Sequence, residues 1–277
     1  MTPPTPDSRA LHLTKHHGAG NDFLVVLDPE GGSPLDPDLV RALCDRRFGV
    51  GADGVIRVSR GDGVTDLAME LRNADGSPAE MSGNGMRCLA QAAVEAGLVK
   101  PPSFTVSTLA GVRSVEYQPG EAPGAAYASV DMGAAVLLPD QPQQFEDRRV
   151  RTVDVGNPHL VLLGPDVAGV DIAVLGPQLQ SAFADGINVE WIALASDERG
   201  ALLDLRVWER GVGETLACGT GSVAAAAAAR SWGVVAEGAV RVRNPGGTLE
   251  VTLGEHATLA GPVRKVADIE IHPGMLS

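Results

Sequence analysis

The sequence predicts an α/β (α+β) protein of two pseudo-symmetric domains, each a curved, mostly antiparallel sheet wrapped around a central helix, with the candidate site in the cleft between them. Short motifs recur at one fixed distance: Asn21 and Asn157, Asn73 and Glu209, and Ser82 and Cys218 each stand 136 residues apart, in similar local contexts. Such recurrence is the mark of an internal duplication, and a repeat this long implies two domains rather than a solenoid. In each half a Gly-rich segment opens the strongest helical pattern, while 34 Gly and 19 Pro in 277 residues divide the remainder into short runs suited to strands.

Along the chain, segment 1–10 is Pro/Thr-rich without an apolar core, which excludes a signal peptide or anchor and predicts a disordered tail. Strands are expected at 11–15, 23–27, 55–59, 67–73, 104–107, 112–118 and 126–132, separated by turn residues, with helices at 37–46 and 86–96. Pro139, Pro142 and several Gln mark a boundary region at 131–147, giving an N-terminal half of 11–135 and a C-terminal half of 136–270. The second half repeats the pattern, with strands at 149–155, 160–163, 187–195, 202–209, 240–243, 249–253 and 258–260 and helices at 174–180 and 222–231. The Ala run at 224–229 is strongly helix-forming, and its small side chains suit a helix closely enclosed by sheet.

Composition narrows the function. A net charge of −13 argues against nucleic acid or an anionic membrane as partner. Cys44, Cys88 and Cys218 are an odd number at wide spacings, neither a disulfide framework nor a zinc pattern, and they suggest a reducing cytoplasm. No apolar run approaches the ~18 residues of a membrane helix.

The chemistry is concentrated at the two helix starts, Ser82-Gly-Asn-Gly and Cys218-Gly-Thr-Gly. Glycines allow close backbone approach, and the free N–H groups of a helix start attract an anion such as a carboxylate. A cysteine at such a place is expected to have a lowered pKa. Two such sites facing one another would set an acid and a base on opposite faces of one carbon, the arrangement that inverts a stereocentre. The N–H groups would stabilise the developing charge without a cofactor. Taken singly, each residue also has an ordinary role: Ser82 as a helix cap, Cys218 as a core thiol, His159 as a satisfied core histidine, Asn21 and Asn73 as turn formers, Glu209-Arg210 as a solvated pair. Their joint placement at one offset favours the chemical reading.

Over about residues 11–270 the sequence resembles the diaminopimelate epimerase family. The motifs are His17-Gly-Ala-Gly-Asn-Asp-Phe, Asp45-Arg-Arg-Phe-Gly-Val-Gly-Ala-Asp-Gly, Asn73-Ala-Asp-Gly-Ser, Ser82-Gly-Asn-Gly-Met-Arg-Cys, Gly156-Asn-Pro-His, Ile187-Asn-Val and Glu209-Arg-Gly-Val-Gly-Glu-Thr-Leu-Ala-Cys-Gly-Thr-Gly. The resemblance implies a homodimeric, cytoplasmic isomerase that interconverts LL- and meso-diaminopimelate in lysine and cell-wall synthesis, with no pyridoxal phosphate, other cofactor or metal. It implies that Asn21, Asn73, Asn157, Asn188, Glu209 and Arg210 bind substrate, and that Gly83, Asn84, Gly219 and Thr220 offer backbone donors to its α-carboxylate. It makes Cys218 a catalytic thiol, tuned by His159 and Glu209.

Two positions depart from the family pattern. Its first catalytic cysteine falls at Ser82, a far weaker acid than a thiol of pKa ~8.5, and Gly54 stands where some members carry a substrate-contacting Gln. Cys88 is a poor substitute for a thiol at 82, lying about 9 Å further along the helix. Alternatives to the epimerase are therefore a one-base lyase (dehydratase) and a weakly active amino-acid-binding relative.

Overall fold

The computed structural model describes residues 11–32, 34–139 and 149–275. The tail 1–10 and the second part of the expected boundary, 140–147, lie outside the described residues.

The first half of the chain runs β1 (Leu11–Gly18), β2 (Asn21–Leu27), α1 (Pro37–Cys44), β3 (Gly54–Arg60), β4 (Leu67–Asn73), β5 (Pro78–Ala79), α2 (Gly83–Glu95), β6 (Ser103–Thr108), β7 (Gly111–Pro119), β8 (Ala125–Gly133) and β9 (Val136–Leu137). The second runs β10 (Arg149–Asp154), β11 (Pro158–Leu163), α3 (Ile172–Ser181), β12 (Asn188–Asp197), β13 (Gly200–Glu209), β14 (Gly213–Thr215), α4 (Gly219–Ser231), β15 (Ala239–Asn244), β16 (Gly247–Leu253) and β17 (Ala257–Ile271). Most pairings are antiparallel; β2 with β3, β4 with β6, β11 with β12 and β13 with β15 are parallel, joined across α1, α2, α3 and α4 respectively. Parallel neighbours need such a crossover.

The elements recur at the spacing seen in the sequence, α2 and α4 beginning at residues 83 and 219 and β6 and β15 at 103 and 239. One strand pair slips. Leu24 pairs Val55 and Val55 pairs Arg72, whereas Leu160 pairs Val189 and Val189 pairs Trp208, so β12 matches β3 at a distance of 134 rather than 136 residues. The structural counterpart of Gly54 is therefore Asn188, and that of Ile56 is Glu190.

Helix α2 packs against β1, β2, β3, β7, β8 and β17, and α4 against β10 to β13, β15, β16 and β17. Met86, Cys88 and Leu89 of α2 are fully buried, as is nearly all of the Ala run of α4. A wide side chain there would force the enclosing strands apart. Burying Met86 and Leu89 contributes on the order of 2 kcal/mol each.

Several elements differ from expectation. Helices α2 and α4 each start three residues before the expected helix, because Ser82 and Cys218 supply the caps. Helix α3 continues to Ser181 with Pro177 inside it. The expected short strand at 258–260 is the fifteen-residue β17. Gly261-Pro262 reads as a break, yet Pro262 simply pairs with Tyr127 on β8. From there the strand continues to pair with β1, so the last strand hydrogen-bonds to β8, β16 and β1.

The β1–β2 hairpin turns through Ala19 and Gly20, both at positive φ (53° and 84°). Such turns favour Asn-Gly or Gly-Gly, so Ala19 is held there by its surroundings. It is buried, and Gly246 of the β15–β16 turn lies so close to the Ala19 carbonyl that any side chain at 246 would collide with it.

Candidate active site

Both helix starts are capped by the residue at which the catalytic pair was expected. The N–H of Gly85 donates to Ser82 Oγ at 3.0 Å, and that of Gly221 to Cys218 Sγ at 3.3 Å. Both cap residues are extended, Ser82 at φ −136° and Cys218 at φ −119°. Extended geometry at the cap turns the side chain back over the first turn. The residues that follow are in contact across the halves: a Cβ on Gly219 would stand 3.4 Å from Gly83 Cα, and one on Gly83 would stand 2.7 Å from Leu259 Cδ2. Leu259, fully buried on β17, lies beneath both starts. Glycine is required at 83 and 219 for this approach.

Around Cys218 lies a buried acidic group. Glu209 accepts a short hydrogen bond from Thr215 Oγ1. Burial pushes the Glu209 carboxyl upward, against hydrogen bonds from Thr215 and Cys218 that favour its charged form. Cys218 Sγ is 3.4 Å from Thr220 Oγ1. His159, fully buried, places Nδ1 2.6 Å from Glu190 Oε1 and Nε2 2.9 Å from Asn157 Oδ1. Glu190 itself presses on the first turn of α4, since a Cβ on Gly221 would be 2.8 Å from its Oε1.

The lowered pKa expected for Cys218 is corrected by this environment. Its thiol is pushed well above the usual value, first by burial and then by the negative charges of Glu209 and Glu190, with the Thr220 hydroxyl and Gly221 N–H opposing weakly. Two carboxylates and desolvation outweigh one helix terminus.

Ser82 has different neighbours. Where the Cys218 side carries His159, Glu190, Glu209 and Thr215, the matching positions are Phe23, Ile56, Asn73 and Ala79. A Cβ on Gly85 would meet Ile56 Cδ1 at 3.1 Å, as one on Gly221 meets Glu190. The titratable side chains are thus gathered at one helix start.

The remaining expected residues fall into three groups. Asn84 bridges the halves: its Nδ2 donates to Asn21 Oδ1 and to the Ala217 carbonyl, both at 3.1 Å. Asn21 also donates to Asp53 Oδ2 at 2.6 Å, within a cluster in which Arg46 joins Asp22 and Asp53 and Lys15 joins Asp22. Asn188 is buried and shapes the chain, donating to the Pro158 carbonyl and accepting from the Arg210 N–H. Asn73 and Arg210 are exposed, bonded to Ser77 and to the Asp185 carbonyl, and neither touches Cys218 or Ser82 through a hydrogen bond. Glu190 escaped the sequence reading, although a lone carboxylate inside the apolar run 187–195 was its signal. Among the described residues no group of three or more His, Cys, Asp or Glu could hold a metal ion, and no helix is long and apolar enough to cross a membrane.

A family model described as diaminopimelate epimerase matches residues 13–138 and 151–266. The chain is 42% identical to the diaminopimelate epimerase of Mycolicibacterium smegmatis, covering 94% of this chain and 97% of that one. It is 41% identical to the enzyme of the same name from Thermobifida fusca, covering 94% and 98%. In fold it is similar to a phenazine biosynthesis protein of the PhzF family from Bacillus anthracis, with a TM-score of 0.74, 17% identity and coverage of 95% and 99%.

Proposed function

Since the chain belongs to the diaminopimelate epimerase family, we propose that it interconverts LL- and meso-diaminopimelate by proton transfer at Cα, without pyridoxal phosphate. The observation that carries this reading is the contact between Gly83 and Gly219, which sets the side chains of positions 82 and 218 at two abutting helix starts.

The chemistry follows from the neighbours. The N–H groups at residues 83, 84, 219 and 220 precede the first intrahelical bonds and are free to hold the α-carboxylate as charge develops on it. Glu209, whose charge acts directly on Cys218, takes the thiol proton, and the thiolate removes the Cα proton from its face. Ser82 serves the opposite face. A carbanion is basic enough to take a hydroxyl proton, but Phe23, Ile56, Asn73 and Ala79 offer no base to regenerate an alkoxide in the reverse sense. Water then returns a proton to the Ser82 alkoxide while Glu209 gives up the proton it took, which restores both groups, and that step limits the rate. His159 and Glu190 hold the Cys218 side in place. Residues 11–135 and 136–270 act as the two domains flanking the site, a reading supported by the recurrence of their elements. The family reading also carries a cytoplasmic homodimer, which light scattering would test.

The decisive experiment is incubation of LL-diaminopimelate in D₂O. Inversion with deuterium at Cα is expected. Exchange without inversion would mean one-sided deprotonation, and release of ammonia or water would mean a lyase; either overturns the reading. Ser82→Cys should raise the epimerisation rate about tenfold or more, because a thiol both donates and accepts near neutral pH. An unchanged rate would remove Ser82 from the mechanism.

A further inference from the structure

Arg87 is fully buried in the second turn of α2. Its Nη2 donates to Asn84 Oδ1 at 2.7 Å, its Nη1 to the Gly83 carbonyl at 3.2 Å and its Nε to the Pro262 carbonyl at 3.4 Å. All three acceptors are neutral. Among the described residues no carboxylate forms an ion pair with it. Two glycines make room for the guanidinium: a Cβ on Gly18 would stand 2.9 Å from Nη2, and one on Gly261 3.5 Å from Cζ.

Burying a charge without a counter-ion is strongly unfavourable, and proteins avoid it unless something compensates. Burial draws this guanidinium down to about 10, which leaves it charged at neutral pH. The fold itself does not demand a cation here, since the matching position on α4 is Val223, also fully buried. The two helix starts therefore differ in the sign of the charge behind them. Glu209 and Glu190 stand behind Cys218, and Arg87 stands behind Ser82.

We infer that Arg87 is a positioning residue for the substrate carboxylate: a lone cation at the root of the α2 start whose counter-ion is the ligand. It rests on the epimerase reading and adds an electrostatic division of labour. The carboxylate is drawn toward the α2 side, which turns the Cα hydrogen toward the acid–base group at Cys218. Through Asn84, Arg87 also fixes the Ala217 carbonyl next to that cysteine.

The test compares wild type with Arg87→Met and Arg87→Lys, by thermal melting without ligand and by steady-state turnover of LL-diaminopimelate. Arg87→Met is expected to melt no lower than wild type, because an apolar side chain removes an uncompensated buried charge. Its KM should rise by about tenfold or more with a smaller change in kcat, and Arg87→Lys, which keeps the charge and loses donors, should stay within about threefold of the wild-type KM. A purely structural role would move Tm and leave KM alone. The inference is overturned if Arg87→Met keeps its KM, if Arg87→Lys is as impaired as Arg87→Met, or if Arg87→Met cannot fold. A wild type that does not turn over diaminopimelate would instead defeat the functional reading, and the melting comparison would still judge the unpaired cation.

Discussion

At Cys218 burial and two neighbouring carboxylates act against a helix terminus, and the balance holds the side chain as a thiol. Alkylation by iodoacetamide at neutral pH should therefore be slow, by about tenfold or more relative to an unhindered thiol, because only the thiolate reacts. Glu209→Gln should speed that alkylation by removing negative charge, while lowering kcat by roughly 10²–10⁴ for loss of the base. Peptide mass spectrometry and the epimerase assay read both effects; alkylation slowed by Glu209→Gln would contradict the electrostatic account. The same shift ties stability to pH. A thiol whose folded pKa lies above its unfolded value stabilises the fold fully below pH ~8.5, and that contribution fades as the pH rises toward the folded value. Cys44 and Cys88, pushed up to about 12 by burial, act in the same direction. Urea midpoints should accordingly fall through the alkaline range. Glu190 belongs to this scale as well. Glu190→Ala would leave buried His159 without its partner at Nδ1 and should cost about 3 kcal/mol in urea unfolding, with Glu190→Gln costing less because an amide oxygen still accepts.

The helix starts were the most legible elements, because a small capping residue followed by Gly-X-Gly leaves a local trace in the sequence. What that trace could not give was the surroundings. The pKa of Cys218 depends on Glu190, which lies on a distant strand, and the two-residue slip of β12 hid its correspondence with Ile56. Strand β17 was misread for a related reason: Gly261 and Pro262 look like breakers locally, and only the partner strand β8 shows that the sheet tolerates them. At the helix starts themselves, Gly219→Ala would set a methyl 2.9 Å from Leu259 Cδ2. The clash should cost about 1–3 kcal/mol and lower kcat by displacing one start from the other. Adding Leu259→Ala should restore part of the stability; no recovery would mean that Leu259 is not what limits the approach.

For the molecule as a whole, the sequence offset exposed the duplication, but not how firmly the halves are joined. One core cluster includes Val25, Met86 and Val130 together with Val161, Ala224 and Leu259. A shared core with a shared strand should unfold as a unit, so calorimetry is expected to show a single transition with calorimetric and van't Hoff enthalpies in agreement. Two resolved transitions would show that the halves are energetically separate. By the same logic residues 11–135 made alone would leave the β17-facing edges of β1 and β8 unpaired and should fail to fold, as judged by circular dichroism.

Leu259 gives the arrangement a direction in time. The floor beneath both helix starts is laid by a residue that is synthesised after both of them. A nascent chain can complete each cap and its helix early, yet the floor under Gly83 and Gly219 is missing until residue 259 has been added. Competence for turnover is therefore expected only late in translation, and a chain ending before residue 259 should show no epimerase activity.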